Sequence, residues 1–425
     1  MFDFFVKTQK NKFRSLCLVL VGTIVVSTFS GCASLEFPWN KIEETSEIQL
    51  EQNISPDIII VEKIEELDDT DKVEVPEVSE KELEKTSEEI EDEGLKYYAY
   101  EKLSEEDRVV YTEILSILTS LSKDTKVSSK DPEQIEKAFN YVMLDHPELF
   151  YLTGYSFTKY MRGSNIEKIT LSGNYTMSAS EAEEKKRAVD AYVDKCLAGY
   201  DGTADDYARV KYVYEYLIKN TEYDMSAQNN QNILSVVTDG RTVCQGYAKA
   251  MQLILNKMGV FCILCEGIVK GTEAHVWNVV KINGNYYHVD ATWGDASYMI
   301  EDKTGNFEAP EINYDYLCVT DDDIKKTHVI KDAIIYPECN SMEENYYVRE
   351  GLYLSELDTG VIMNAFERAR ENGERIVTLK CENANIYSAL YNHLIDNQCI
   401  FDYLAGSTTV NYVEFRDECR ISFYI

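Results

Sequence analysis

Asn283-Gly284 separates two apolar runs, residues 274–282 and 285–292. Both turn residues tolerate a positive φ. A two-residue turn of the primed type needs that at each position, because only its twist matches that of the strands it joins. The dipeptide therefore predicts a β-hairpin and also its register. Ile282 stands opposite Asn285, Trp277 opposite Asp290, and His275 opposite Thr292. Side chains alternate between faces along a strand. His275, Trp277 and Asp290 then share a face, and His275 and Asp290 become diagonal neighbours within reach of each other. One extra residue in the turn would carry Asp290 to the other face. Asn278 alternates away from His275, and His288 is likewise read as facing away, in a structural role.

Upstream, Cys244 opens a predicted helix running to about residue 258, with Ala248, Met251, Leu253, Ile254 and Leu255 as a broad apolar face and Gly259 as its stop. Residues 260–268 read as a buried strand. A cysteine nucleophile needs a stabilised thiolate, a base within reach and a group that orients the base. A helix N-terminus favours a thiolate, and its free N–H groups suit an oxyanion. Cys244 occupies that position, and its own N–H is a candidate oxyanion donor. Gly240 and its short loop are read as leaving room for a substrate backbone. Alone, Cys244 would be taken as a buried structural cysteine; with His275 and Asp290 in register, a Cys-His-Asp site is the better reading. Gln245, Trp277 and Trp293 are candidate cleft residues, with Trp277 leaning to core. His146, His328 and His393 stand isolated. Cys262 and Cys265 alternate faces on a strand, so neither a zinc site nor a local disulfide is expected of them.

Three blocks carry a resemblance: Val243-Cys244-Gln245-Gly246-Tyr247-Ala248, Ala274-His275-Val276-Trp277-Asn278, and Tyr287-His288-Val289-Asp290-Ala291-Thr292-Trp293. In order and spacing they resemble the signature of the bacterial transglutaminase-like superfamily. A looser likeness reaches from about residue 205, through Tyr223-Asp224, to Tyr314-Asp315-Tyr316-Leu317-Cys318, His328 and about residue 339. The resemblance implies an α+β, papain-like core: a nucleophile helix packed on an antiparallel sheet. It implies Cys244 as nucleophile, His275 as general base and acid, and Asp290 as orienter, with no metal and no cofactor. The chemistry implied is acyl transfer through a thioester, most simply hydrolysis by a peptidase or amidase. Protein cross-linking is the other outcome within the class. A non-catalytic lipoprotein that keeps the fold for cell-envelope binding or scaffolding is the alternative from another class.

The rest of the chain sets the expected context. Lys7, Lys10, Lys12 and Arg14 precede an apolar run over residues 15–29, closed by Ser30-Gly31-Cys32. This resembles a lipoprotein signal spanning 1–31, with Cys32 as the lipid site and the mature chain anchored to the membrane outside the cytoplasm. Residues 32–94 are acidic and poor in aromatics, which predicts a disordered stalk. A mostly helical region is expected over 95–200, the catalytic domain over 201–345 and a small α+β domain over 346–425. The net charge of −33 disfavours phosphate backbones and excludes nucleic acid as a partner. The expected partner is a protein or peptide substrate in the cell envelope.

Overall fold

The computed structural model describes residues 6–10, 19–20, 59–68, 70–93, 97–202, 205–295, 312–331, 334–404 and 406–425. Two compact units emerge, residues 52–344 and a second made of 345–425 with 1–51. Cys32 and the acidic segment up to residue 58 lie outside the described residues.

The second unit is built on a sheet. Strand β1 (Val6–Lys10) pairs with β16 (Thr409–Phe415), and β2 (Val19–Leu20) pairs with β1. Both fall inside the stretch read as a signal, so a processed chain would lack them. The remaining strands, β14 (Tyr353–Leu354), β15 (Ile376–Cys381) and β17 (Arg420–Tyr424), complete the order β14-β15-β17-β16-β1-β2. Helices Thr359–Asn372 and Ala384–Tyr391 cover a core of Phe366, Leu379, Leu390, Tyr412 and Phe423.

In the first unit the acidic stretch is not wholly a stalk. Strand β3 (Ile59–Glu66) runs parallel to β5 (Leu152–Arg162), and α1 (Glu80–Glu93) buries Ile90 and places Thr86 Oγ1 2.8 Å from Ser116 Oγ. The expectation of disorder up to residue 94 is corrected for these elements. Strong charge along a strand does not prevent pairing when a neighbouring edge supplies the backbone partners. The preamble also holds more sheet than expected. Helices α2 (Tyr98–Glu101), α3 (Glu105–Thr119), α4 (Pro132–Asp145) and α5 (Ala179–Ala198) accompany β4 (Thr125–Val127), β5 and β6 (Asn165–Tyr175) in a sheet of order β3-β5-β6-β4. The helix starts follow local chemistry: Ser104 and Asp131 cap α3 and α4, and Ser178 with Glu181 forms a capping box on α5. This preamble clusters with the residues that follow it in one compact unit.

The central core is a helix on an antiparallel sheet. Helix α6 (Asp206–Asn220) leads into β7 (Glu222–Tyr223). After α7 (Ile233–Asp239) comes β8 (Arg241–Thr242), which pairs with β7 in parallel. Helix α8 (Cys244–Lys257) then packs on β9 (Cys262–Val269) and β10 (Glu273–Ile282). With β11 (Asn285–Val289), β12 (Leu317–Val319) and β13 (His328–Ile330) the sheet has the order β12-β11-β10-β9-β13, every pairing antiparallel. Met251, Ile254 and Leu255 of α8 are fully enclosed. Truncating any of them to alanine costs about 2–5 kcal/mol. Asn278 locks helix to sheet: its buried amide donates to Ala248 O of α8 at 3.0 Å and to Ile263 O at 3.3 Å. The predicted α+β, papain-like arrangement is thus the observed one.

Candidate active site

The turn into α8 is set by a hydroxyl chain. Ser235 Oγ donates to Thr242 Oγ1 at 2.6 Å, and Thr242 Oγ1 donates to Asn230 O at 3.0 Å. That places Thr242 Oγ1 only 1.9 Å from where a Cβ on residue 246 would lie, so the turn requires Gly246. The chain enters the helix tightly, and Cys244 falls in the first turn as a half-buried residue outside any disulfide. The first N–H groups of a helix have no partner within it, which leaves them for a ligand. Gly240 has a more local task than the sequence suggested: in the left-handed region at φ +61°, it ends α7.

The hairpin forms in the predicted register. Asn283 and Gly284 have φ of +51° and +91°, and pairing runs from Ile282 with Asn285 to Asn278 with Val289. There the ladder ends. The sequence placed residues up to 292 on the strand, but Asp290 instead caps a one-turn helix, α9 (Ala291–Gly294), its Oδ1 accepting from Thr292 N at 2.9 Å and Trp293 N at 3.1 Å. Its other oxygen still meets the base: His275 Nε2 lies 2.6 Å from Asp290 Oδ2. A carboxylate capping a helix only accepts, so the His275 proton sits on Nε2. Nδ1 is the nitrogen left to exchange a proton, and Cys244 is the other side chain that favours the charged ring.

A third group joins this carboxylate. His328 Nε2 donates to the same Asp290 Oδ2 at 3.0 Å, with its Nδ1 2.8 Å from Thr327 Oγ1. Sequence reasoning left His328 isolated, and the structure corrects this. It reaches the site because β13 pairs with β9, placing His328 opposite Val269. A short strand arriving after a long excursion offers no periodic signal. Only the loose downstream resemblance touched it.

The electrostatics divide these residues. Burial opposes the charged form of His275, but the Asp290 carboxylate outweighs it and, with Cys244, lifts the imidazole to about 10. Burial would raise Asp290, yet His275 and then His328 hold its carboxyl well below the usual range. Burial wins at His328 and lowers it, so this ring is a neutral donor. The pocket is aromatic. Trp277 stacks on His275 with ring centres 5.9 Å apart, and Trp293 meets His275 edge-on at 6.3 Å and His328 at 4.9 Å. Both indoles are buried where they meet His275, and Gln245, beside Cys244 in sequence, is buried too.

His288 also departs from expectation. It stands opposite Val279, on the face of Trp277, and its Nδ1 accepts from Trp277 Nε1 at 3.0 Å. Among the described residues, two clusters have the composition of a metal site, His275-Asp290-His328 and His288-Asp321-Cys339. In the first, two imidazole N–H groups already converge on one carboxylate oxygen. In the second, the indole N–H occupies the lone pair of Nδ1, which puts the proton on Nε2 and takes away the ligating pair.

Residues 171–291 match the Transglutaminase-like superfamily. Kyphoscoliosis peptidase from Mus musculus is 26% identical over 118 residues, covering 24% of this chain and 18% of that protein, so the chain spans under a fifth of its relative's length. Among solved structures, a TGase is 14% identical over 44% of this chain and 52% of its own, with a TM-score of 0.24. A proposed cysteine protease from Cytophaga hutchinsonii is 18% identical over 25% of this chain and 37% of its own, with a TM-score of 0.22.

Proposed function

We propose that this chain is a cysteine-dependent acyl-transfer enzyme of the cell envelope, hydrolysing peptide or amide bonds, with Cys244, His275 and Asp290 as its triad. The observation that carries the reading is the His275–Asp290 bond at 2.6 Å, with Cys244 also favouring the charged form of that imidazole. The likeness to a transglutaminase-like segment supports the same class of chemistry.

His275 Nδ1 takes the Cys244 proton, and the thiolate adds to an amide carbonyl carbon. The carbonyl oxygen becomes an oxyanion, for which the Cys244 backbone N–H is one donor. The imidazolium returns its proton to the departing amine as the C–N bond breaks, leaving a thioester. Water then gives a proton to His275, attacks the thioester and releases acid and thiol. An amine in place of water would give cross-linking instead. Anchoring through a lipid on Cys32 would hold the site near envelope proteins and peptides.

The test is mass spectrometry of cell-wall and surface-protein digests treated with wild type or Cys244→Ala. Fragments released only by wild type are expected. New cross-links would assign transfer instead, and identical digests, with no labelling of Cys244 by electrophilic peptide probes, would sink the proposal.

A further inference from the structure

Resting on that reading of the site, we infer that His288 is a positioning residue for the reaction: it fixes the indole of Trp277 against the ring of His275. Trp277 is enclosed, and an indole N–H can only donate, so a buried one must find an acceptor. His288 Nδ1 supplies it at 3.0 Å. The opposite nitrogen, Nε2, lies 2.9 Å from Asp321 Oδ1, which only accepts. Two neighbours thus impose the same tautomer from opposite sides. A second proton on His288 would face the indole N–H head-on, and burial lowers its affinity for one.

The locked indole has a seat built for it. Gly267 stands opposite His275 on β9, and a Cβ there would lie 2.6 Å from Trp277 Cη2 and 2.2 Å from Val329 O. Only glycine lets the indole lie flat. The indole then covers His275 at an interplanar angle of 20°, while its edge meets His328 at 4.9 Å. Asp290 holds His275 at Nε2 alone, about which the imidazole could swing. The stacked indole limits that freedom and so fixes the plane of the ring that is to exchange a proton with Cys244. Such alignment is what acyl transfer requires, since small misplacements of a reacting group cost rate steeply.

The full chain serves for the test, with iodoacetamide alkylation of Cys244 followed by peptide mapping from pH 5 to 11. His288→Leu, which removes the acceptor, is expected to slow labelling of Cys244 at neutral pH at least tenfold and to displace its pH profile. His288→Asn, whose amide oxygen replaces Nδ1, should recover most of the rate. The Trp277 indole N–H proton resonance should move in His288→Leu and stay in His288→Asn. A folded His288→Leu labelled at the wild-type rate with an unchanged profile overturns the proposal. Should His288→Leu fail to fold, Trp277→Phe decides: it keeps a ring and lacks the N–H, and a wild-type rate and profile there also overturn it. Wild type labelling no faster than His275→Ala would instead bring down the functional reading, and this proposal with it.

Discussion

His275 with Asp290 and His288 with Asp321 are two buried imidazoles on one face of the same hairpin, each bonded through Nε2 to a carboxylate, at 2.6 and 2.9 Å. Burial opposes the charge on both, yet His275 is lifted to about 10 while His288 is lowered. One reason is the carboxylate. Asp290 is enclosed and its charge acts unscreened, whereas the Asp321 side chain is 19% exposed and shared with Lys325 at 3.2 Å. The other reason is the second nitrogen. Nδ1 of His275 is left for a thiol, which can give it a proton; Nδ1 of His288 is filled by an indole N–H, which cannot. A histidine–aspartate pair therefore becomes a base or a strut according to what stands on its far side.

The largest expected effect comes from breaking the first pair. Asp290→Asn leaves the helix cap an acceptor but cannot keep both imidazole N–H groups paired with an anion. Turnover should fall about a thousandfold or more, since the favoured tautomer and the imidazolium both depend on that charge. Stability should fall by about 3–5 kcal/mol, as for other buried pairs cut on one side. Peptide-amide turnover and thermal unfolding of the variant measure these directly. A variant within tenfold of wild type would remove Asp290 from the mechanism.

The pH dependence comes next. His275 has a folded pKa above its unfolded value, so its stabilising contribution is whole below about 6.5 and is lost as the pH rises through about 10. Asp290 has a depressed pKa, so its contribution is whole above about 4 and is lost as the pH falls. Wild type should hold its unfolding temperature between these limits, and turnover should fade near pH 10 as the imidazolium disappears. In Asp290→Asn the alkaline limb should move toward the ordinary histidine range. A limb that stays in place in that variant would break the contrast between the two pairs.

A smaller effect tests the group that sequence missed. His328→Leu leaves one lone pair of Asp290 Oδ2 without its donor at 3.0 Å. A lost buried partner costs about 1–3 kcal/mol. Turnover should drop about tenfold with the alkaline limb raised, because Asp290 then acts on His275 alone. A limb lowered instead would mean that His328 supports the charge on His275 rather than competing for its carboxylate.

These residues also mark how far the sequence could be read. The Asn283-Gly284 turn was local, so it carried its register to Asn278 and Val289 and brought Asp290 to the right face. It could not say that the ladder stops at Val289, because the one-turn helix beyond it is capped by Asp290 itself. The same parity puts His288 opposite Val279 and so beside Trp277, not on the far face expected for it. His328 was beyond reach for another reason. Its strand joins β9 across a long gap, and neither spacing nor composition encodes such a partner. Ile59–Glu66 was hidden by its charge, since a strand whose residues are all exposed has no apolar pattern to betray it.

The smallest effect sharpens the comparison most, because it applies the same substitution to the second pair. Asp321→Asn removes a charge but keeps an oxygen where His288 Nε2–H needs one at 2.9 Å. The tautomer is still imposed from the other side by Trp277. The ion pair with Lys325 is half in solvent and is worth less than about 1 kcal/mol. Unfolding should shift by about 1 kcal/mol or less and turnover by less than about threefold. Asp290 must be an anion because its histidine is meant to carry charge. Asp321 need only be an acceptor because its histidine is meant to stay neutral. If Asp321→Asn cost as much as Asp290→Asn, His288 would carry charge after all, and the two pairs would be one kind of device.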